Sequence, residues 1–342
     1  MTMFRIINAG PLSTVQDFGI KGYLKYGMPS AGAMDLFSFR IANILVGNLE
    51  GDAAIEFTLQ GPEIELEADT VIAVTGGRCN PCLDGFPIPM WQSVFVKKGS
   101  IIDCGMVGEG FRGYIAFAGG IDVPEVLGSR STYLKAAVGG FKGRKLAVAD
   151  ELKVNSPHNL DNLAGCLLPK DLIPSFDTEQ ELRVILGPQD DLFFQSSIEV
   201  FLNSIYEITP QSDRMGYRLK GPTIKHKNGA DIITDGIPHG AIQVPGEGQP
   251  IIMLSDKQAT GGYAKVATVI SIDLNKVAQL KPGDNIRFRS VTLEEAHKAL
   301  DRQEKVINNI KALFNESHQR KVRQLKFRIA NEDYFVTVEE IE

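Results

Sequence analysis

IQVPGEGQPIIMLSDKQATGGY, residues 242–263, sets the architecture of this chain. An apolar strand, residues 250–254, is bracketed by two polar, glycine-rich turns. Gln243 stands just before the first turn. Asp256, Gln258 and Thr260 lie on the second, which ends in Gly261-Gly262. Glycine permits positive φ and lets a ligand approach the main chain. Consecutive N–H groups in such a turn form an anion-binding concavity. A β-scaffold with side-chain amides and hydroxyls at its rim suits an amide- or urea-like ligand, or a phosphate, better than a metal. The alternative is a tight turn built of ordinary turn residues.

Outward from this stretch, the same texture continues. Segments 71–75, 93–96, 113–118, 183–186, 251–254, 266–270 and 286–288 are β-branched or aromatic and bounded by turn residues, which predicts strands. Helical spacing is confined to residues 33–46, which stop at Gly47, to residues 190–202, and to the C-terminal region. This is a mainly β chain with a few decorating helices rather than a parallel βαβ sheet. An xLxGP pattern occurs at Thr58–Pro62 and again at Arg218–Pro222. Each is followed by a DGxP turn and then a K-x-G turn, at 84–87 and 97–99 and at 235–238 and 281–283. The order predicts two related β-domains in tandem, 1–165 and 166–290, with the junction within 155–178, where Pro, Asn and Asp accumulate. Residues 291–342 form a third part. Thr292-Leu293-Glu294-Glu295 is a capping box, followed by an apolar stripe of Leu293, Ala296, Leu300, Ile307, Ile310 and Phe314. Alternation at 325–329 and 334–338 around a turn at 331–333 predicts a hairpin that must dock to be stable.

A chain of 342 residues with 43% hydrophobic and 23% charged residues is long enough for about two domains and a sizeable core. Its net charge of −6, with Lys and Arg scattered, argues against nucleic acid as a partner. No apolar run approaches the roughly 18 residues needed to span a membrane. The start, MTMFRIINAG, lacks a signal-peptide core, so a cytoplasmic protein is expected. Four cysteines do not make a disulfide framework. The single CxxC, Cys79 and Cys82, lacks the second pair that a structural zinc site wants, and reads as a turn after the strand at 71–75.

Three further clusters carry chemistry. Gln16 and Asp17 stand at a Gly-bounded strand exit, 10–19. Residues 28–35, MPSAGAMD, lead into the first helix, where Ser30 is a candidate cap and Asp35 complements the dipole. Arg130, among Gly, Ser and Thr at 128–132, and Arg214, in SDRMGYR at 212–218, are candidates to clamp a carboxylate or phosphate. The alternative is a loop stitched by arginine–carbonyl bonds. There is no P-loop, no GxGxxG on a strand–helix unit and no GxSxG elbow.

STVQDFG, SAGAMD, ANILVGN, AIEFTLQGP, GGIDVP, LGSRST, GGFKGRKL, SDRMGYRLKGP, GAIQVP, GQPIIMLSDKQATGGY and QLKPGD occur in this order. Together they resemble the C-type subunit family of bacterial ATP-dependent 5-oxoprolinase. That family is also called allophanate hydrolase subunit 2, the KipA type or the biotin-dependent carboxyltransferase family, and it is similar to part of the carboxyltransferase domain of urea carboxylase. The resemblance implies two cyclophilin-like β-barrels, with a KipI-type B subunit and a further A-type subunit as partners. It also implies ATP with Mg²⁺ to activate a lactam, 5-oxoproline, for hydrolysis to glutamate. It carries over Asp17, Asp256 and Arg214 as catalytic candidates. Gln16, Asp35, Arg130, Gln243, Gln258, Thr260, Gly261 and Gly262 become substrate-binding candidates. Ile20 stands where the family usually has Arg, and Ala259 where it usually has Thr, so each removes a polar group near the site. The C-terminal hairpin resembles the first strands of a biotin carrier domain, but no AMKM-like motif follows, so no biotin is expected on this chain. Two other readings are a carboxyltransferase acting on a urea-like nitrogen and a regulator that binds the KipI-type protein.

Overall fold

In a computed structural model, the chain is mainly β, with four α-helices among the described residues. These residues are 2–155, 160–319, 322–329 and 332–339. The first half lays its strands in two sheets. One runs, in spatial order, 121–122, 151–154, 2–8, 63–66, 101–103, 82–83 and 86–87. The other runs 12–16, 54–58, 109–117, 70–78 and 93–96. Phe4, Phe57, Ile64, Val74 and Phe117 fill the core between them. The expected strands at 71–75, 93–96 and 113–118 all fall in the second sheet.

Helix α1 (Leu36–Leu45) packs on the other face of that sheet, with Phe39, Ile41 and Leu45 against Tyr114 and Ala116. It starts later than its apolar spacing predicts, and Ser30 is not its cap. Ala31 (φ 49°) and Gly32 (φ 87°) are left-handed, so residues 28–34 cannot be helical. Asp35 caps instead, its Oδ1 accepting from Ser38 N at 3.0 Å and its Oδ2 from Ser38 Oγ at 2.6 Å.

The second half closes into a seven-stranded barrel in the order 179–186, 265–269, 241–243, 251–253, 216–220, 205–208 and 285–290. A parallel pairing of 179–184 with 285–290 shuts it. Closure removes free sheet edges, and the interior is filled by Leu182, Val184, Tyr206, Tyr217, Ile252, Val266 and Ile286. Helices α2 (Gln195–Asn203) and α3 (Leu274–Gln279) plug it with Phe201, Leu274 and Val277. Met34, from the loop before α1, is buried in this same core, so the halves share packing. Between Val154 and Glu179 the described residues form only 3₁₀ turns and one isolated bridge, Gln92–Leu167. A two-stranded flap, Asp231–Gly236 with Thr260–Tyr263, stands off the barrel.

Helix α4 (Leu293–Gln319) starts at the expected capping box. Thr292 N donates to Glu295 Oε2 at 2.8 Å, and Glu295 N donates to Thr292 Oγ1 at 3.2 Å. It straps both halves together. Ala299 packs with Ile270 and Val291 of the second half, whereas Ile307, Ile310 and Phe314 pack on α1's cluster in the first. Arg40 of α1 adds a bidentate pair with Glu304 at 2.5 and 2.7 Å. Leu293 and Leu300, expected on the buried stripe, are instead exposed. The C-terminal strands Val322–Ile329 and Glu332–Glu339 pair in register from Val322–Glu339 to Ile329–Glu332. Asn331, expected in their turn, lies outside the described residues.

Candidate functional site

The two halves meet across a seam of buried charge. Arg214, at the barrel's edge, donates to both carboxylate oxygens of Asp256 at 3.1 Å. Its Nη2 also donates to Gly32 O at 2.6 Å, and its Nη1 makes a short bond to Glu56. Burial alone would lower its pKa, but Asp256 and Glu56 outweigh that and hold the guanidinium above its ordinary value. Glu56 comes from the strand Ala54–Thr58. Its other oxygen accepts from Met34 N at 2.8 Å and Tyr114 Oη at 2.7 Å. Asp35 N donates to Tyr114 Oη at 2.8 Å, and Gln279 Nε2 donates to Asp35 Oδ2 at 2.7 Å. Burial pushes the Asp35 carboxyl up, against the hydrogen bonds of Ser38 and Gln279. Arg112 reaches across from the first half to Tyr217 Oη at 2.6 Å and Ala278 O at 2.5 Å. The network therefore runs from α3 through Asp35, Tyr114, Glu56 and Arg214 to Asp256.

Beside it, Asp17 holds a loop. Its Oδ1 accepts from Gly19 N at 2.7 Å, Ser129 Oγ at 2.6 Å and Ser131 Oγ at 2.5 Å, and its Oδ2 from Arg130 N at 2.6 Å. The Arg130 side chain turns elsewhere, to Glu125 at 2.7 Å and Val123 O at 3.1 Å. Gln16 is fully buried. Its Nε2 donates to Thr132 O at 3.1 Å, while its Oε1 has no partner. The loop continues to Tyr133, whose hydroxyl is pushed up by burial and by the nearby Asp256.

The rim residues of the quoted stretch part company. Gln243 is buried in the barrel wall, its Nε2 donating to Tyr263 O at 3.3 Å. Thr260, Gly261 and Gly262 form a strand of the flap. Gly261 packs so closely that a Cβ there would sit 2.8 Å from Gln243 Nε2 and 2.7 Å from Ile237 Cδ1. Gln258 and Thr260 are exposed. Lys265, with its side chain fully buried in the wall, pins the flap through Asp235 at 2.9 Å. Ile20 is buried, and Ala259 offers its carbonyl to Ile237 N at 3.0 Å.

The structure thus gathers Arg214, Asp256 and Asp35 into one network and sets Asp17 on an adjoining loop. Gln258 and Thr260 stay at the exposed edge. Sequence reasoning passed over Glu56, Arg112, Tyr114 and Gln279, and also Lys257 and His239. Lys257 is 1% exposed and makes no ion pair among the described residues. Its amine is lowered by burial. His239 is lowered to about 4 by burial and by Lys257 and Arg214, so it is neutral at neutral pH. A cavity of about 470 Å³ lies under α4, against Asp35 and Gln279, and neither Lys257 nor His239 lines it.

Cys79 and Cys82 are unpaired, as are Cys104 and Cys166. Burial raises the Cys79 thiol to about 12, and its Sγ lies 3.6 Å from Met90 Sδ. Among the described residues no group of three or more His, Cys, Asp or Glu is placed to hold a metal ion. No described helix is long and apolar enough to cross a membrane.

Residues 26–290 match the family model for the carboxyltransferase domain, subdomain A and B. The chain is 36% identical over 331 residues to the C subunit of 5-oxoprolinase from Escherichia coli, covering 97% of this chain and 100% of that protein. It is 38% identical over 331 residues to urea amidolyase of Saccharomyces cerevisiae, covering 90% of this chain but only 18% of that protein. Among solved structures it superposes on the K. lactis urea amidolyase with a TM-score of 0.85 at 36% identity, over 90% of this chain and 20% of that one. Matching one relative from end to end and the others as a single module, this chain belongs to the carboxyltransferase A and B family, which includes the C subunit of 5-oxoprolinase.

Proposed function

We propose that this chain is the C-type subunit of an ATP-dependent 5-oxoprolinase, binding the lactam at the rim where the seam meets the flap, together with partners of A and B type. The observation that carries this reading is the end-to-end correspondence with a protein named as the C subunit of 5-oxoprolinase. The seam supports it by offering buried polar chemistry between two domains, where ligand sites concentrate.

A lactam carbonyl is resonance-stabilised and a poor electrophile. ATP would phosphorylate its oxygen, releasing ADP; water then adds at the carbon and the C–N bond breaks, the nitrogen leaving as the amine, to give an acyl phosphate of glutamate, which a second water hydrolyses to glutamate and phosphate. In this chain Arg214 and Asp256 fix the geometry of the seam, and Asp17 fixes the 129–131 loop beside it. Gln258 and Thr260 on the exposed side of the rim meet the amide. Asp17 is the poorer of the two carboxylates for Mg²⁺, because its oxygens accept from Gly19 N, Arg130 N and the hydroxyls of Ser129 and Ser131, whereas those of Asp256 accept only from Arg214 among the described residues.

The test is 5-oxoproline-dependent ATP hydrolysis by this chain alone and mixed with its A and B partners. Turnover only in the mixture supports the proposal, and an assembled mixture with none overturns it. A second reading, carboxyl transfer to a urea-like nitrogen, is favoured by the similarity to urea amidolyase. It requires a biotinylated partner, which a streptavidin blot of co-purifying proteins would detect. The third reading, a regulator binding a KipI-type protein, predicts tight association without turnover.

A further inference from the structure

We propose that Lys257, with Ser255 and His239, forms a subsite for a single carboxylate, which on the reading above is the carboxylate of 5-oxoproline. Four observations carry it. First, the carboxylates of the seam take their partners from groups other than Lys257. Glu56 and Asp256 face Arg214 and Arg112, the latter with its Nε 4.0 Å from Glu56. The Lys257 ammonium is left over, on a side chain 1% exposed and without an ion pair among the described residues. A buried, unpaired cation is costly, and an anion is what offsets it.

Second, Ser255 is 1% exposed and its Oγ has no hydrogen-bond partner. Two uncommitted donors thus stand two residues apart on one rigid turn. That turn is fixed by Lys257 N to Leu254 O at 3.1 Å, Asp256 N to Arg214 O at 2.9 Å and Ala31 N to Ser255 O at 3.0 Å. Third, the segment holding His239 is stitched to the same region, by Ile237 N to Ala259 O at 3.0 Å and Gly240 N to Met253 O at 2.8 Å. A neutral imidazole there adds a donor without another charge. Fourth, the donor set is small. One cation and one hydroxyl match a singly charged carboxylate, whereas a triphosphate draws on several cations and a run of backbone N–H groups.

The test compares 5-oxoproline with 2-pyrrolidinone, the same lactam without the carboxylate, in the assembled complex. Lys257→Met is expected to lower the kcat/KM selectivity for 5-oxoproline over 2-pyrrolidinone by about 10- to 100-fold, mostly by weakening capture of the carboxylate-bearing substrate, seen as a raised KM. Lys257→Arg is expected to restore part of it, and Ser255→Ala to cause a smaller loss. Unchanged selectivity overturns the subsite. So does weakened ATP binding with capture of 5-oxoproline unchanged, which would make Lys257 a phosphate contact. If the wild-type complex does not turn over 5-oxoproline at all, the proposed function fails by itself. The subsite is then decided on the isolated chain, by whether acetate saturably protects the Lys257 amine from reductive methylation. Protection in wild type supports it, and equal labelling with and without acetate overturns it.

Discussion

The seam and the flap draw on the same short stretch of chain, yet they are opposite kinds of site. At the seam, Asp256 and Arg214 are buried with Glu56, and each of these charges has a partner from a distant part of the sequence. On the flap and the turn leading into it, a few residues on, Thr260 and Gln258 are exposed, and Ile233 on the facing strand is 95% exposed. The seam holds geometry that water cannot relax, while the flap holds groups that are free to meet a ligand or a partner. Mutations should therefore separate the two, with stability lost at the seam and activity lost at the flap.

The largest effect is expected at Glu56. Glu56→Ala removes the acceptor for Arg214, Tyr114 and Met34 N together. Breaking a buried pair from one side costs about 3–5 kcal/mol, because the remaining charge is uncompensated. Urea denaturation should show a loss of this size. Adding Arg214→Met should not recover it, because Asp256 then loses the guanidinium from which both its oxygens accept. A loss below about 1 kcal/mol would mean that water reaches the seam and that the contrast with the flap is false.

Next comes His239. Its folded value of about 4 lies below the ordinary 6.5. Between those values the unfolded chain binds a proton that the folded chain refuses, so stability falls as pH drops from about 6.5 to 4. The full span is worth about 3 kcal/mol at most. His239→Gln, neutral throughout, should flatten that part of the curve of unfolding free energy against pH. Parallel curves for the two proteins would show that the ring is solvated and belongs with the flap.

Gly261 and Gly262 sharpen the comparison within the flap itself. A Cβ at Gly261 meets Gln243 and Ile237, whereas the nearest atom to one at Gly262 is Ile232 O at 3.7 Å. Gly261→Ala should cost about 1–3 kcal/mol, and Gly262→Ala should stay within about 0.5 kcal/mol of wild type. Thermal melts of the two variants side by side would check this. If both are neutral, the flap is not packed onto Gln243.

The β character was legible because its signal is local. Strands such as 93–96 and 251–253 and the capping box of α4 declare themselves through alternation, turn residues and spacing. The seam was not legible, because its signal is relational. Glu56 in AIEFT reads as a polar residue in a strand, and only the fold brings Arg214, 158 positions away, against it. Arg112 in GFRGY hides in the same way. Lys257 and His239 carried no signal in the sequence, since nothing local tells an unpaired buried ammonium from a solvated one. Ser30 misled for a related reason. Its neighbours Ala31 and Gly32 adopt left-handed backbone beside the seam, which moves the helix start to Leu36.

The smallest expected change in stability, and the one most telling for function, is at Gln258. Its side chain is exposed, so Gln258→Ala should leave the unfolding free energy within about 0.5 kcal/mol of wild type. If the rim binds the amide, the same substitution should abolish 5-oxoproline-dependent ATP hydrolysis by the assembled complex. The pairing of the two readings matters more than either alone. Lost turnover with an unchanged melt assigns Gln258 to ligand binding. Lost turnover with a lowered melt would make the flap a structural element like the seam. Wild-type turnover would remove Gln258 from the site and leave the ligand to the buried groups around Lys257.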